Sequence, residues 1–231
     1  MSLFADKNLF IVTSALNPSS GVISNEDRFK QTIDTLENIR EKVKDSIILF
    51  TDGSPTKIED YKLEKISKLV NILICWNDDT DISGLAAAGL KSQSEIVLLI
   101  KTIDMLRNHI DMQKMMSSVK RIFKFSARST LHDSFDIEEY DNLFGKYVFK
   151  KKIPSWKNQN DYLFITRMYS LCPSLINDYL NVLIGCYRTV NELGLDTEHA
   201  HYRYIKNQYL IEFDKIHCEG IMAGTGKTET Y

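Results

Sequence analysis

A stretch of small residues stands directly before a predicted helix. Residues 83–90 read SGLAAAGL and are followed by Lys91, Ser92 and a helical pattern that is established by Ser94. Small side chains allow a ligand to approach the backbone, and the free N–H groups at the start of a helix attract anions. With the charge of Lys91 beside them, these groups predict a phosphate site. The structural alternative is a tight loop in which Ser92 and Glu95 form a capping box.

Three carboxylates gather after the third predicted strand. Asp78, Asp79 and Asp81 follow the apolar run from Ile72 to Trp76. Oxygen ligands of this kind suit Mg²⁺ or Mn²⁺, and either ion could bridge the oxygens of a diphosphate. The alternative is an acidic turn that is exposed to water.

Three polar side chains share one face of a predicted strand whose sequence is RIFKFSAR. Side chains alternate between the two faces of a strand, which places Lys124, Ser126 and Arg128 together. A guanidinium can donate two parallel hydrogen bonds to a phosphate or a carboxylate, so Arg128 is a candidate ligand-binding and catalytic residue. An internal ion pair with an acidic neighbour such as Asp133 or Asp136 is the alternative.

A short helix is predicted from Thr197 to Ile205, and it carries Glu198, His199 and His201. Glu198 is a candidate catalytic acid or base on this helix. The alternative, which we favour for the histidines, is a surface helix with ordinary exposed side chains.

The elements that must position these groups alternate between strand and helix in the first half of the chain. Alternation of this kind requires right-handed crossovers and a parallel sheet, whose ligand crevice lies beyond the carboxyl ends of the strands. The sequence therefore predicts an α/β fold with a mixed, mainly parallel sheet flanked by helices. The four predicted strands are Asn8–Leu16, Ser46–Phe50, Ile72–Trp76 and Arg121–Phe125.

The second half is less regular and contains no linker that would separate it as a domain. Strands are predicted over 146–152 and 162–170, and helices over 173–193 and 197–205. We expect a single domain, in which residues 1–131 form a nucleotide-binding half and residues 132–231 form an acceptor-side half.

The composition narrows the class of protein. The 231 residues include 29 basic and 31 acidic side chains, so a net charge of −2 gives no global electrostatic reason to expect nucleic acid as a partner. The four cysteines are widely spaced, with no C-x-x-C pair, which is typical of a reduced, cytoplasmic protein. Neither an export signal nor an integral membrane span is expected from the apolar runs.

Five segments carry a resemblance to a known family: FIVTSALN, GLKSQSE, FKFSARSTLHDSFD, GKYVFKKK and TRMYSLCPSLINDYL. They resemble the small GT-A-type nucleotide-sugar glycosyltransferases, including compact sugar-transferase-like proteins of bacterial surface-polysaccharide and viral glycosylation systems. The resemblance covers most of the chain. It implies a Rossmann-like fold and hexosyl transfer from a nucleotide-sugar donor, most often a UDP-sugar, to a glycan or glycoprotein acceptor.

The resemblance also implies roles at the strand ends. In that family the end of the first strand holds the base and ribose, which implies contacts from Thr13 to Ala15, while Asp52 and Asn77 would border the base. Ser92 near the helix start and Ser126 on the fourth strand are added as polar groups close to these strand ends. The nucleotide-binding candidates are therefore Thr13, Ser14, Ala15, Asp52, Asn77, Ser92 and Ser126.

One departure from the family's pattern affects the expected cofactor. The metal-binding DxD motif of the family would stand at 126–128, where this chain has SAR. One possibility is that Asp78 and Asp79 bind Mn²⁺ or Mg²⁺ instead. The other, which we favour, is that Arg128 and Lys91 replace the cation in stabilising the departing diphosphate. The departure also leaves a rival function: a non-catalytic nucleotide-binding or assembly module that keeps the fold.

Overall fold

The computed structural model describes residues 7–158, 160–221 and 228–231. The first six residues, on which the expectation of no export signal partly rests, lie outside the described residues. The strands are β1 Lys7–Ser14, β2 Ile47–Asp52, β3 Ile72–Cys75, β4 Val119–Ser126, β5 Ser129–Leu131, β6 Tyr147–Lys150, β7 Ile153–Pro154, β8 Tyr162–Leu163, β9 Met168–Leu171, β10 Leu210–Phe213, β11 Cys218–Ile221 and β12 Thr228–Thr230. The α-helices are α1 Asn25–Lys42, α2 Asp60–Ser67, α3 Thr80–Ala87, α4 Lys91–Asn108, α5 Ile110–Met116, α6 Ile176–Leu193 and α7 Thr197–Tyr204.

Seven strands form one sheet in the order β10-β6-β9-β4-β1-β2-β3. β1 pairs in parallel with both β2 and β4, and β2 pairs in parallel with β3. β9 runs antiparallel between β4 and β6, so the second half of the chain completes the sheet that the first half begins. The predicted α/β fold with a mixed, mainly parallel sheet is confirmed.

Strand β1 is apolar on both faces because helices cover both sides of the sheet. Leu9 and Ile11 of β1 belong to the core that packs under α4 and α6. Phe10 and Val12 point to the opposite face, where they pack with Leu36 of α1. Successive side chains of a strand point to opposite faces, and a near-continuous apolar run is what a doubly covered strand requires.

Helix α1 begins where the sequence predicts a cap. The Ser24 side chain accepts a hydrogen bond from the backbone N–H of Asp27 at 3.1 Å and donates to the Asp27 carboxylate at 2.7 Å. This satisfies one of the free donors of the first turn. The position of the cap matters for the site, because it fixes the first turn of α1 and therefore the side chain of Arg28.

Three segments differ from the sequence-based expectation. Residues 80–87 are predicted as part of a small-residue loop but form α3. Asp79 is its N-cap, because that carboxylate accepts hydrogen bonds from the N–H groups of Asp81 and Ile82. The strand predicted over 162–170 is interrupted and becomes β8 and β9. β5 and β11 pair as a small antiparallel sheet beside the main one. Among the helices of the described residues, none is long and apolar enough to span a bilayer.

Candidate functional site

A crevice with a cavity volume of about 150 Å³ opens beyond the carboxyl ends of the central strands. Six of the residues singled out in the sequence line it together. They come from the end of β1 and the residue after it, from the end of β4 and the turn after it, and from the first residue of α4: Thr13, Ser14, Ala15, Ser126, Arg128 and Lys91.

Hydrogen bonds between β1 and β4 fix the floor of the crevice. Thr13 lies opposite Ser126 in the parallel register, and the backbone N–H of Ala127 donates to the carbonyl of Thr13 at 3.0 Å. The N–H of Ser126 donates to the carbonyl of Arg167 at 2.9 Å on the other side. The backbone that carries Arg128 is therefore held from both sides.

Arg128 lines the crevice, and the Nη1 atom of its guanidinium is buried without a hydrogen-bond partner. The alternative for Arg128, an ion pair with Asp133 or Asp136, is not formed, because Asp133 pairs with Lys42 at 2.5 Å and Asp136 caps a short 3₁₀ turn by accepting from the N–H of Glu138. Burial, and then the charges of Arg28 and Arg167, lower the pKa of Arg128 to about 10. The side chain thus remains a cation at neutral pH.

Helix α4 directs one of its faces into the crevice. It begins at Lys91, and its N-cap residue Leu90 makes no side-chain cap hydrogen bond. Lys91, Ser94 and Glu95 line the crevice because residues three and four apart share a helix face. Ser92 is turned about 100° away from Lys91 and is not part of the lining.

Glu95 uses its carboxylate for an ion pair, not for a capping box. Its Oε1 atom lies 2.6 Å from Nζ of Lys124, which is 4% exposed. Burial alone would raise the pKa of Glu95, but the charge of Lys124 and the hydrogen bond from it outweigh burial and lower that pKa. The structural alternative for this segment, a capping box between Ser92 and Glu95, is therefore wrong.

Asp52 does not line the crevice, and its carboxylate binds backbone N–H groups of the neighbouring loops. Its Oδ2 atom accepts a hydrogen bond from the N–H of Leu16 at 2.9 Å, and its Oδ1 atom accepts one from the N–H of Ser54 at 2.8 Å. The side chain is 1% exposed, with both oxygens engaged by the backbone. The carboxylate thus joins the loops after β1 and β2, and the contact of Asp52 with the base stays a prediction.

The polar residues after β3 also lie outside the crevice lining. Asn77 donates to the carboxylate of Asp78 at 2.9 Å, and Asp79 both caps α3 and lies 2.5 Å from Nζ of Lys101. Asp79 precedes Ala86, the residue of α3 that does line the crevice, by seven positions, which corresponds to about 10 Å along the helix. The structure does not bring Asn77, Asp78 or Asp79 into the crevice lining that the predicted residues of β1, β4 and α4 share.

The donor set of the crevice does not fit a divalent cation. Glu95 is the carboxylate of the lining, and it already pairs with Lys124 while Arg128 lies nearby. Within the part of the chain that the structure describes, no group of three or more Asp, Glu, His or Cys side chains is arranged to hold a metal ion. Hard cations such as Mg²⁺ and Mn²⁺ require several free oxygen ligands, and cationic side chains repel them.

Glu198 is connected to the crevice through an intervening network. Lys124 donates to the carbonyl of Thr166 at 2.9 Å, and the hydroxyl of Thr166 donates to Oε1 of Glu198 at 3.0 Å. Burial, then the charges of Glu95 and Asp196, raise the pKa of Glu198. Glu198 does not line the crevice itself, and its assignment as a catalytic acid or base stays a prediction.

The two histidines of α7 are buried, so the expectation of ordinary surface histidines is wrong. His199 is 1% exposed and shares hydrogen bonds with Asp196 and, at 2.6 Å, with the hydroxyl of Ser155. His201 is fully buried, with Nδ1 2.8 Å from the carbonyl of Thr197. Burial lowers the pKa of His201 to about 4, which keeps this ring neutral at neutral pH.

Arg28 is the charged residue of the crevice lining that the sequence analysis missed. It lies in the first turns of α1 and is 6% exposed. The signal was present, because Arg28 falls on the stripe that includes Thr32 and Thr35, the buried face of the helix. An arginine on the core side of an amphipathic helix is unusual and indicates a partner or a ligand.

Comparisons with known proteins give information on the fold. No protein-family model matches the sequence, and no curated protein matches it. The structure is similar to that of the mannosyltransferase Ktr4p from S. cerevisiae, with 8% identity, a TM-score of 0.51 and coverage of 92% of this chain and 70% of that one. It is likewise similar to the galactosyltransferase LgtC in complex with donor and acceptor sugar analogues, with 9% identity, a TM-score of 0.51 and coverage of 88% of this chain and 72% of that one. The chain has the GT-A-like fold of sugar transferases, as the resemblance in its sequence implied.

Proposed function

We propose that this protein transfers a hexose from a nucleotide donor, a UDP-sugar, to a glycan or protein-linked acceptor. The observation that carries the proposal is the open crevice at the strand ends, where a buried guanidinium nitrogen of Arg128 without a partner lies in the same lining as Lys91. The fold supports the proposal as an analogy, because folds host many functions and the site must carry the argument.

The crevice offers different chemistry to the two ends of a nucleotide sugar. The hydroxyls of Thr13 and Ser14 and the backbone of Ala15 are suited to the base and ribose. The charges of Lys91 and Arg128 and the start of α4 are suited to the diphosphate. Ser126 lies between these two regions, because it pairs with Thr13 in the sheet and precedes Arg128 in the chain.

Transfer requires stabilisation of the leaving group. The bond between the sugar's anomeric carbon and the diphosphate oxygen breaks, and its electron pair remains on the UDP. The acceptor oxygen bonds to the same carbon and gives up its proton to a base, for which Glu198 is our candidate. Preorganised cations in a partly buried site stabilise the charge that develops on the departing diphosphate. Lys91 and Arg128 can supply that charge without a metal ion.

Calorimetric titration with UDP and GDP, each with EDTA and with Mn²⁺, tests the binding half of the proposal. We expect UDP to bind in EDTA, and Arg128→Met to weaken this binding by about 10-fold or more because a charged hydrogen bond is lost. Arg203→Met is the matched control, since Arg203 pairs with Asp161 at the surface and should not affect binding. Failure of both nucleotides to bind under every condition would contradict the proposal.

A transfer assay separates the enzyme from its rival. Release of UDP from a UDP-hexose, in the presence of a panel of glycan acceptors, is expected for the wild type and should be lost in Arg128→Met. Nucleotide binding with neither donor hydrolysis nor transfer across the panel would indicate the non-catalytic binding module instead.

A further inference from the structure

Arg28 reaches the crevice from the helical layer opposite α4. The side chain lies almost fully buried, and its Nε atom has no hydrogen-bond partner. Within the described parts of the chain it forms no ion pair, and burial lowers its pKa. The loop after β1 passes directly over it, since a Cβ atom at Gly21 would come within 2.8 Å of its Nη2 atom.

Arg28 and Arg128 are close enough to interact electrostatically. After burial, the charge of Arg28 is the largest influence that lowers the pKa of Arg128, and the attraction of Glu95 for Arg128 is smaller. Two like charges that are withdrawn from water, with donors left unsatisfied, are unfavourable unless an anion lies between them.

Two other arginines, the partly buried Arg40 and the buried Arg121, have no buried guanidinium nitrogen without a partner. Arg40, twelve residues further along α1, donates to the carbonyls of Leu69 and Ser46 and to the side chain of Asn71 at 2.6–2.9 Å. Each of the three guanidinium nitrogens of Arg121 in β4 likewise donates a hydrogen bond, to Ser170, Leu143 and Lys146. Among the described residues, the buried guanidinium nitrogens without a partner are Nε of Arg28 and Nη1 of Arg128, and both residues line the crevice.

We propose that Arg28 and Arg128 form a two-arginine clamp that binds the diphosphate of the nucleotide donor without a divalent cation. The proposal rests on the proposed function and adds Arg28 as a binding residue. A diphosphate carries oxygens on two phosphorus atoms, so one guanidinium can bind each phosphate or both can bracket the bridge. The same contact satisfies the orphaned donors and neutralises the like charges.

The test uses inorganic pyrophosphate and UDP as probes, in EDTA, with calorimetric titration and thermal unfolding of the full chain. We expect Arg28→Met to weaken the binding of both probes by about 10- to 100-fold, since a charged hydrogen-bond donor is lost. The ligand-free variant should unfold at or above the wild-type temperature, because an uncompensated buried charge has been removed. Arg40→Met is the matched control: it should unfold at a lower temperature and bind both probes within about twofold of the wild type, because its arginine is structural.

The outcomes distinguish the clamp from the transferase proposal. Wild-type protein that binds pyrophosphate but neither UDP nor GDP would support the clamp and contradict nucleotide-sugar transfer. Wild-type affinity for UDP in Arg28→Met would overturn the clamp and leave the transferase standing. If Arg28→Met does not fold, Arg28→Lys decides, because it keeps a charge and loses the planar fork: unchanged pyrophosphate binding would overturn the clamp. Binding by the wild type only when Mn²⁺ is present would overturn it as well.

Discussion

Nζ of Lys124 lies 2.6 Å from Oε1 of Glu95, and this ion pair joins the central strand β4 to the helix that borders the crevice. Lys124 also donates to the carbonyl of Thr166 at 2.9 Å. The pair therefore holds the position of α4, whose first residue is Lys91, relative to the strand that leads to Arg128.

Lys124→Met should lower the free energy of unfolding by roughly 2–3 kcal/mol, because it leaves Glu95 without its counter-charge. We place the value below the usual cost of breaking a buried pair, since the Glu95 side chain is 34% exposed. Urea denaturation measures the change. Lys30→Met, which breaks an exposed pair with Asp34, should change stability by less than about 0.5 kcal/mol. Equal effects of the two substitutions would contradict a structural role for Lys124.

Asp52→Asn should destabilise the protein by about 2 kcal/mol. The carboxylate accepts hydrogen bonds from the N–H groups of Leu16 and Ser54, and the NH₂ group of an asparagine would face one of these two donors with another donor. The exposed Asp78→Asn is the control and should leave both stability and UDP affinity unchanged. If Asp78→Asn lost UDP binding and Mn²⁺ restored it, the acidic residues after β3 would instead contribute to nucleotide binding.

Glu198→Gln should make the protein more stable at pH 7. Folding raises the pKa of Glu198, so the Glu198 carboxyl group keeps its proton to higher pH in the folded protein than in the unfolded chain. The contribution of Glu198 to stability is therefore most favourable below the unfolded pKa, about 4.3, and declines as pH rises to the folded value. Denaturation curves at several pH values should show the variant equal to the wild type at pH 4 and more stable at pH 7. A variant that is less stable at pH 7 would contradict this account.

Lys91→Gln should weaken UDP binding by about two- to fivefold at low salt, and less at high salt, because the charge is exposed and screened. Ser92→Ala should leave binding unchanged, since this side chain is turned away from the crevice. Titrations at two salt concentrations measure both effects. A larger loss for Ser92→Ala than for Lys91→Gln would mean that the helix start binds the ligand through its other side.

The sequence predicts well the sheet and the clustering of strand-end residues around one crevice, because both depend on local signals. Apolar runs followed by polar residues mark β1 and β4, and parallel strands bring their carboxyl ends to one edge. Thr13, Ser126 and Arg128 are therefore found together as expected.

Side-chain direction and long-range contacts limit what the sequence can predict. Asp52 stands at a strand end like Thr13, yet backbone amides of neighbouring loops hold its carboxylate away from the crevice. Arg28 precedes Arg128 by a hundred positions, and their proximity exists only once α1 packs on the sheet. The sequence is equally compatible with Asp79 as a metal ligand and as a helix cap, and only the structure shows that Asp79 caps helix α3.

A crystal structure of the protein with UDP, grown in EDTA, tests the central claim most directly. We expect the diphosphate oxygens to lie about 2.9 Å from the guanidinium nitrogens of Arg28 and Arg128, with the base beside Thr13 to Ala15. A diphosphate bound beside Asp78 and Asp79, or outside the crevice altogether, would contradict the account.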